Sequence, residues 1–247
     1  MFENWTGKRY WLIGASDGLG AALARQLSNV GAEVILSARD ETALQAVADS
    51  LPGRASIFPV DVTDRAALEA AAHHIGEIDG MVYLAGVYWP FGAKEWNSEQ
   101  AEAMADVNFT GAMRAVGAVL PTFVARDQGH IVITSSLTAF GGLPGAAPYV
   151  ATKAGLMGLA ESLHADLRNS GVKVQLVNPG FIKTRLTAKN DFAMPAIMEP
   201  EKAAHEVFEH MCGDTFSRSF PFGFSLLFRF GRFLPSWLYF PVFARNS

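Results

Sequence analysis

The chain has 247 residues, half of them apolar and 18% charged, a balance that suits one α/β domain with a sizeable core. Its net charge of −4, with no long block of Lys or Arg, gives a nucleic-acid partner no electrostatic footing. The single cysteine, Cys212, excludes an internal disulfide and a cysteine-based metal cluster, and the first residues, "MFENWTGKRYWLIGAS", lack the pattern of a cleaved signal, so a cytoplasmic location is expected.

Along the chain, short β-branched or aromatic runs alternate with longer helical patterns. Strands are expected at 9–14 ("RYWLIG"), 32–38, 56–61, 80–86, 130–135 and 172–178, several of them apolar almost throughout, as strands buried on both faces are. Helical patterns fill 18–30, 41–50, 64–75, 98–125 and 149–169. Asp40 stands at an N-cap position and Gly171 where a helix C-cap glycine belongs. Six strands joined by helical crossovers predict a doubly wound parallel sheet of the Rossmann type, with ligands beyond the strand C-termini. No repeat or low-complexity linker interrupts the pattern.

The first strand runs into "GASDGLG", which places Gly14, Gly18 and Gly20 ahead of the first helix. Glycines there permit a tight turn and close approach of backbone to a pyrophosphate, while the helix offers N–H groups and a positive dipole end. The spacing is GxxxGxG rather than the usual GxGxxG. The second strand ends in "LSARD", with Ala38 where an NAD-selecting fold carries an acid and Arg39 beside it. An arginine there suits a 2′-phosphate, so NADP(H) is expected over NAD(H). Further on, "YVATK" sets Tyr149 and Lys153 one helical turn apart, on one face. A phenol with a pKa of about 10 is a poor acid at neutral pH, and an adjacent ammonium lowers that value.

Taken together, "GASDGLG", "DVT" (61–63), "AG" (85–86), "VN" (107–108), "SS" (135–136), "YVATK" and "NPGFIKT" (178–184) resemble the short-chain dehydrogenases/reductases in order and spacing, over residues 8–210. The resemblance implies that Tyr149 is the general acid in carbonyl reduction and the general base in alcohol oxidation. By the same resemblance, Lys153 binds the nicotinamide ribose and lowers the tyrosine pKa, Ser136 orients the carbonyl, and Asn108 fixes a water in a proton relay. Ser135 is the rival for the serine role, and only one of two neighbouring strand residues can face the tyrosine. The implied cofactor contacts are Gly14, Ser16, Gly18, Leu19, Gly20, Arg39, Asp61, Val62, Ala85, Gly86, Tyr149, Lys153, Pro179, Gly180, Ile182 and Thr184. No metal is called for, and the six histidines read as surface or satisfied core. Two positions depart from the family pattern: "YLAG" replaces Asn-Asn-Ala-Gly, bringing Tyr83 and Leu84, and Ile13 stands where Thr is usual.

The catalytic domain is expected to span 1–218, with a substrate loop at 181–200 whose Phe181, Leu186, Phe192, Met194, Ile197 and Met198 favour a hydrophobic carbonyl or alcohol. The remaining segment, 219–247, holds 8 of the 18 phenylalanines and no acidic residue, with Ser225, Arg229 and Arg232 as a polar stripe on an apolar helix. It is too interrupted to span a bilayer, which leaves three uses: cover over the cleft or a partner subunit, peripheral membrane contact, or little order. The family resemblance also implies a homodimer or homotetramer through helices 98–125 and 149–169. A catalytically idle NADP(H)-binding sensor on the same fold is the alternative. An epimerase of the extended branch is disfavoured because little chain remains for a sugar domain.

Overall fold

Side-chain alternation in the first strand sets the architecture. In β1 (Arg9–Ile13), Trp11 and Ile13 enter one apolar layer while Tyr10 and Leu12 enter the other. A strand buried on both sides needs helices over both faces. The computed structural model describes residues 4–190 and 192–243 and has that arrangement. The parts of the expected loop and extension at residues 191 and 244–247, like residues 1–3, lie outside the described residues.

Seven strands form one parallel sheet in the order β3-β2-β1-β4-β5-β6-β7. After β1 these are β2 (Glu33–Ser37), β3 (Ala55–Ile57), β4 (Gly80–Tyr83), β5 (Gly129–Thr134), β6 (Val172–Pro179) and β7 (Ser217–Phe220). Helices α1 (Gly18–Asn29), α2 (Glu41–Asp49) and α7 (Pro200–Met211) cover one face, with Leu23, Leu27, Leu44 and Val207 in its core. On the other face, α3 (Arg65–Ile75), α5 (Gly111–Ala125) and α6 (Ala147–Leu167) bury Leu68, Val116, Phe123 and Leu156. The strand order reverses between β1 and β4, so the connections that leave their C-terminal ends run to opposite faces of the sheet and leave a crevice.

The expected helix at 98–125 is continuous but not uniform. It comprises α4 (Ser98–Met104), a π-helical segment Ala105–Thr110 that carries Asn108, and α5. At 28 residues this stretch is long and apolar enough to cross a membrane, yet Val116, Val119 and Phe123 belong to the sheet core.

Several expectations are corrected. β3 stops at Ile57 rather than running to 61, although the Phe58 and Val60 N–H groups still donate to the Leu36 and Ala38 carbonyls of the neighbouring segment. β4 ends at Tyr83, and Leu84–Gly86 leave the sheet to line the crevice. Asp40 caps α2 as expected, accepting from the Ala43 N–H at 2.9 Å. Gly171 is not a C-cap: α6 ends at Leu167 with Arg168 as its cap, and the Gly171 N–H donates to Asp127 Oδ1. β7 and α7 have no counterpart among the expected elements. "SRSF" is a short, largely polar edge strand without period-two apolar patterning, and it straddles the expected boundary at 218/219.

The extension forms α8 (Phe222–Gly231) and α9 (Ser236–Phe243). The expected polar stripe does not exist as one face. Ser225 is fully buried and donates to the Phe222 carbonyl, while Arg229 and Arg232 lie on the exposed side.

Candidate active site

The glycine turn is set by contact. Gly14 has φ 99°, and a Cβ on it would lie 2.5 Å from the Ala85 amide nitrogen; a Cβ on Gly20 would run into the Gly14 carbonyl. A side chain at Gly14 would push the turn away from the end of β4, and one at Gly20 would push α1 away from the turn. Asp17 is the N-cap of α1, yet its carboxylate makes no capping bond and pairs instead with Arg185 Nε at 2.6 Å. The helix N-terminus therefore opens on the crevice with Gly18, Leu19 and Gly20 at its edge, a suitable seat for an anion.

At the end of β2, Ala38, Arg39 and Asp40 reach the same crevice. Arg39 is exposed, whereas the Asp40 carboxylate is committed to capping α2. Asp61 accepts from both the N–H and the hydroxyl of Thr63. Burial alone would raise its pKa, but the Thr63 bonds and the Arg39 and Arg114 charges prevail and lower it.

Tyr149 and Lys153 project from the first turns of α6, where Pro148 helps to start the helix, and Lys153 Nζ lies 5.6 Å from the centre of the tyrosine ring. Ser136, just past β5, stands beside Tyr149 and lowers its pKa, while its hydroxyl donates to the Pro179 carbonyl at 3.5 Å. Its neighbour Ser135 also lines the cleft, but its hydroxyl is engaged by the Lys153 carbonyl, to which it donates at 2.7 Å. Lys153 Nζ donates to the Thr134 carbonyl at 3.1 Å.

The expected lowering of the phenol pKa is not found in the chain by itself. Burial pushes Tyr149 up to about 12, and the Ser136 hydroxyl offsets only part of this. Burial likewise brings the Lys153 ammonium down to about 8. Desolvation exceeds mutual help at this site.

Asn108 is fully buried and does not line the crevice. Its Oδ1 accepts from the Val87 N–H at 2.7 Å, and its amide donates to the Val87 carbonyl at 3.0 Å and to Thr152 Oγ1 at 3.2 Å. It thereby clamps the loop after β4 to the helix bearing Tyr149. Tyr83 accounts for the unusual "YLAG". It is fully buried, and its hydroxyl donates to the Val107 carbonyl at 2.6 Å, joining the end of β4 to the π-helical segment.

These residues surround one cleft of about 820 Å³, within the range of small-molecule sites. It brings together all of the expected cofactor positions, from Gly14, Ser16 and Leu19 through Val62, Ala85 and Gly86 to Pro179, Gly180, Ile182 and Thr184, along with Ser136, Tyr149 and Lys153. The substrate loop differs from expectation. Of the six apolar residues expected to face a substrate, Leu186 lines the cleft, while Phe181 pairs with Phe192 and Phe224, and Met198 packs on the core. A different apolar group lies beside Tyr149: Tyr88, Trp89, Phe91, Met104 and Val150. Tyr88 and Tyr149 meet edge to face at 4.9 Å. Sequence patterning could not find this cluster, because "VYWPF" has no regular period; the five residues back Tyr149 and do not line the cleft themselves. No described residue of 219–243 lines the cleft.

A model of the short-chain dehydrogenases matches residues 8–194. An uncharacterized oxidoreductase of Myxococcus xanthus is 38% identical over 235 residues, covering 92% of this chain and 93% of its own. A second, from Staphylococcus epidermidis, is 34% identical over 200 residues, covering 79% and 87%. Among solved structures, a Sphingobium yanoikuyae short-chain dehydrogenase in complex with NADPH has a TM-score of 0.81 at 27% identity, over 87% of this chain and 88% of that one. The closed form of a serine dehydrogenase complexed with NADP+ has a TM-score of 0.80 at 26% identity, over 85% and 93%. With its glycine turn, its Tyr149–Lys153 pair and its parallel sheet in one cleft, the chain belongs to the short-chain dehydrogenase/reductase family of oxidoreductases.

Proposed function

We propose that the protein transfers a hydride between NADP(H) and a hydrophobic ketone, aldehyde or secondary alcohol, with Tyr149 as the general acid or base. The observation that carries this reading is the meeting, in one cleft, of the Tyr149 phenol, the Ser136 hydroxyl and the Lys153 ammonium. The cleft fits a nicotinamide dinucleotide: the open N-terminus of α1 suits a pyrophosphate, and Gly86 leaves room beside Lys153 Nζ, which a Cβ there would approach to 3.9 Å. When bound, the cofactor supplies or accepts the hydride. Tyr149 is protonated at neutral pH and donates to a carbonyl oxygen that Ser136 holds. Lys153 holds the ribose and offsets charge developing on the phenol. Exposed Arg39, with Asp40 turned to its helix cap, favours a 2′-phosphate. The apolar cluster from Tyr88 to Phe91, packed beside Tyr149, favours a substrate without charge.

In this reading the enzyme works in the cytoplasm as a homodimer or homotetramer built on α4–α5 and α6, where Met113 and Val124 leave apolar surface exposed. The test is NADPH oxidation against a panel of apolar and charged carbonyls, comparing wild type with Tyr149→Phe. Loss of turnover by about a hundredfold or more, with NADPH binding retained, is expected for a general acid. Equal slow turnover in both would replace the enzyme with a cofactor-binding sensor.

A further inference from the structure

The face of the extension turned away from the body is apolar and cationic at once. Phe230, Phe233 and Trp237 are 67%, 78% and 74% exposed, and Phe222 and Phe240 accompany them. Arg229 and Arg232 are exposed among these rings, with the Arg232 guanidinium 5.9 Å from the centre of the Phe233 ring. This exposure is not slack packing. The opposite face is anchored: Phe228 and Tyr239 are buried, the Tyr239 hydroxyl donates to the Gly142 carbonyl at 3.0 Å, and Tyr239 stacks on Phe243 at 4.5 Å. A Cβ on Gly180 would lie 3.2 Å from Pro221, so the start of the extension rests on the cleft's own backbone. The rings Phe228, Phe224, Phe181 and Phe192 run without a gap from the extension to the substrate loop, at 5.2 to 6.1 Å between centres.

We propose that this face docks the enzyme on an anionic lipid surface, with the aromatic side chains in the interface and Arg229 and Arg232 at the headgroup phosphates. Charge selects this occupant. Residues 219–247 contain three arginines and no acidic residue, although the whole chain is net −4. A two-fold contact would set the same patch against itself, arginines facing arginines with no carboxylate of the segment to pair them. An anionic membrane meets both the cations and the apolar rings. Length fixes the mode. Ten residues of α8 rise roughly 15 Å, half the hydrocarbon core, so the helix lies along the surface and does not cross it. Adjacency to the substrate loop lets an apolar substrate of the proposed reaction pass from lipid toward the cleft.

The experiment is co-sedimentation of the full chain with vesicles of phosphatidylcholine, alone or mixed with phosphatidylglycerol. Binding is expected to the anionic vesicles and to weaken with salt. Arg229→Gln with Arg232→Gln should lower it about fivefold per arginine. Phe233→Ser with Trp237→Ser should lower it at least about tenfold on either lipid. Circular dichroism and melting of the variants, whose changes lie on the exposed face, should match wild type. Wild type that stays in the supernatant at every composition overturns the proposal, as does equal binding to neutral and anionic vesicles. An assembly in light scattering that Phe233→Ser with Trp237→Ser dissolves, without vesicle binding, would assign the face to a second copy instead. Partitioning is read without turnover, so its failure is distinguishable from failure of the catalytic reading.

Discussion

Lys153 is a cation kept at a cost. Its ordinary pKa of 10.5 falls to about 8 because the side chain is buried, although its Nζ donates to the Thr134 carbonyl. The folded value lies below the unfolded one, so between pH 8 and 10.5 the unfolded chain binds a proton that the folded chain does not. Stability therefore rises with pH across that window, and below it the charge costs the folded state about 3 kcal/mol. Lys153→Met, which keeps the apolar stem, should raise the denaturant midpoint of the cofactor-free protein at pH 7. The advantage should fade as pH climbs from 8 to 10.5, while turnover falls by about a hundredfold or more. A variant no more stable than wild type at pH 7 would mean that the ammonium is well solvated. The pair itself was legible in "YVATK", because i, i+4 spacing on a helix fixes a shared face. Its electrostatics were not, since burial is a property of the folded cleft. Nor could the sequence show Arg185 closing on Asp17 from 168 residues away, which neutralises the one carboxylate in the glycine turn.

At the scale of elements, the joint between β4 and the π-helical segment governs where Asn108 stands. Tyr83 reaches up from the strand to the Val107 carbonyl, and Gly111 makes room for it: a Cβ at 111 would lie 2.6 Å from the Tyr83 hydroxyl and 2.9 Å from Val62 Cγ2. Gly111→Ala should destabilise by roughly 1–3 kcal/mol, although alanine is the better helix former, because overpacking outweighs propensity. Tyr83→Phe alone should cost about 1–2 kcal/mol for the lost bond to a buried carbonyl. In combination the two should cost less than their sum, as removal of the hydroxyl frees part of the space. Additive changes in a denaturant double-mutant cycle would show that the two residues do not share this space. The sequence marked "YLAG" as a departure and "VNFTGAM" as a helix bearing a polar residue. It could not show that one answers the other, because a π segment leaves no period of its own. The edge strand β7 escaped for a similar reason: four residues, mostly polar, carry too little alternation to register. The apolar strands β1, β2, β5 and β6 were plain because burial on both faces imposes a continuous apolar composition.

Across the whole molecule, the end of the sheet opposite the cleft is held by a buried polar network. Gln175 on β6 donates its amide to the carbonyls of His210, Gly213 and Thr215, which turns Oε1 toward His130 Nε2 at 2.8 Å. That nitrogen must then carry the proton, leaving Nδ1 to accept from the Tyr10 hydroxyl at 2.9 Å. Strands β1, β5 and β6 and the C-terminal end of α7 are tied through one neutral imidazole. Burial, reinforced by the Lys173 charge, lowers the His130 pKa to about 3. Because the folded value lies below the unfolded one, the unfolded chain gains the proton first as pH falls. Stability is lost from about pH 6.5 down toward 3, amounting to about 2 kcal/mol from this residue at pH 5. His210, lowered by burial to about 4, adds to the loss in the same window. His130→Leu strands Gln175 Oε1 and removes one partner of the Tyr10 hydroxyl, so it should be less stable than wild type at pH 7. Its denaturant midpoint should nevertheless fall more gently between pH 6.5 and 4, since one of the two acid-sensitive groups is gone. Parallel slopes for the two proteins over that range would show that the imidazole titrates in the folded state and that the network tolerates its charge.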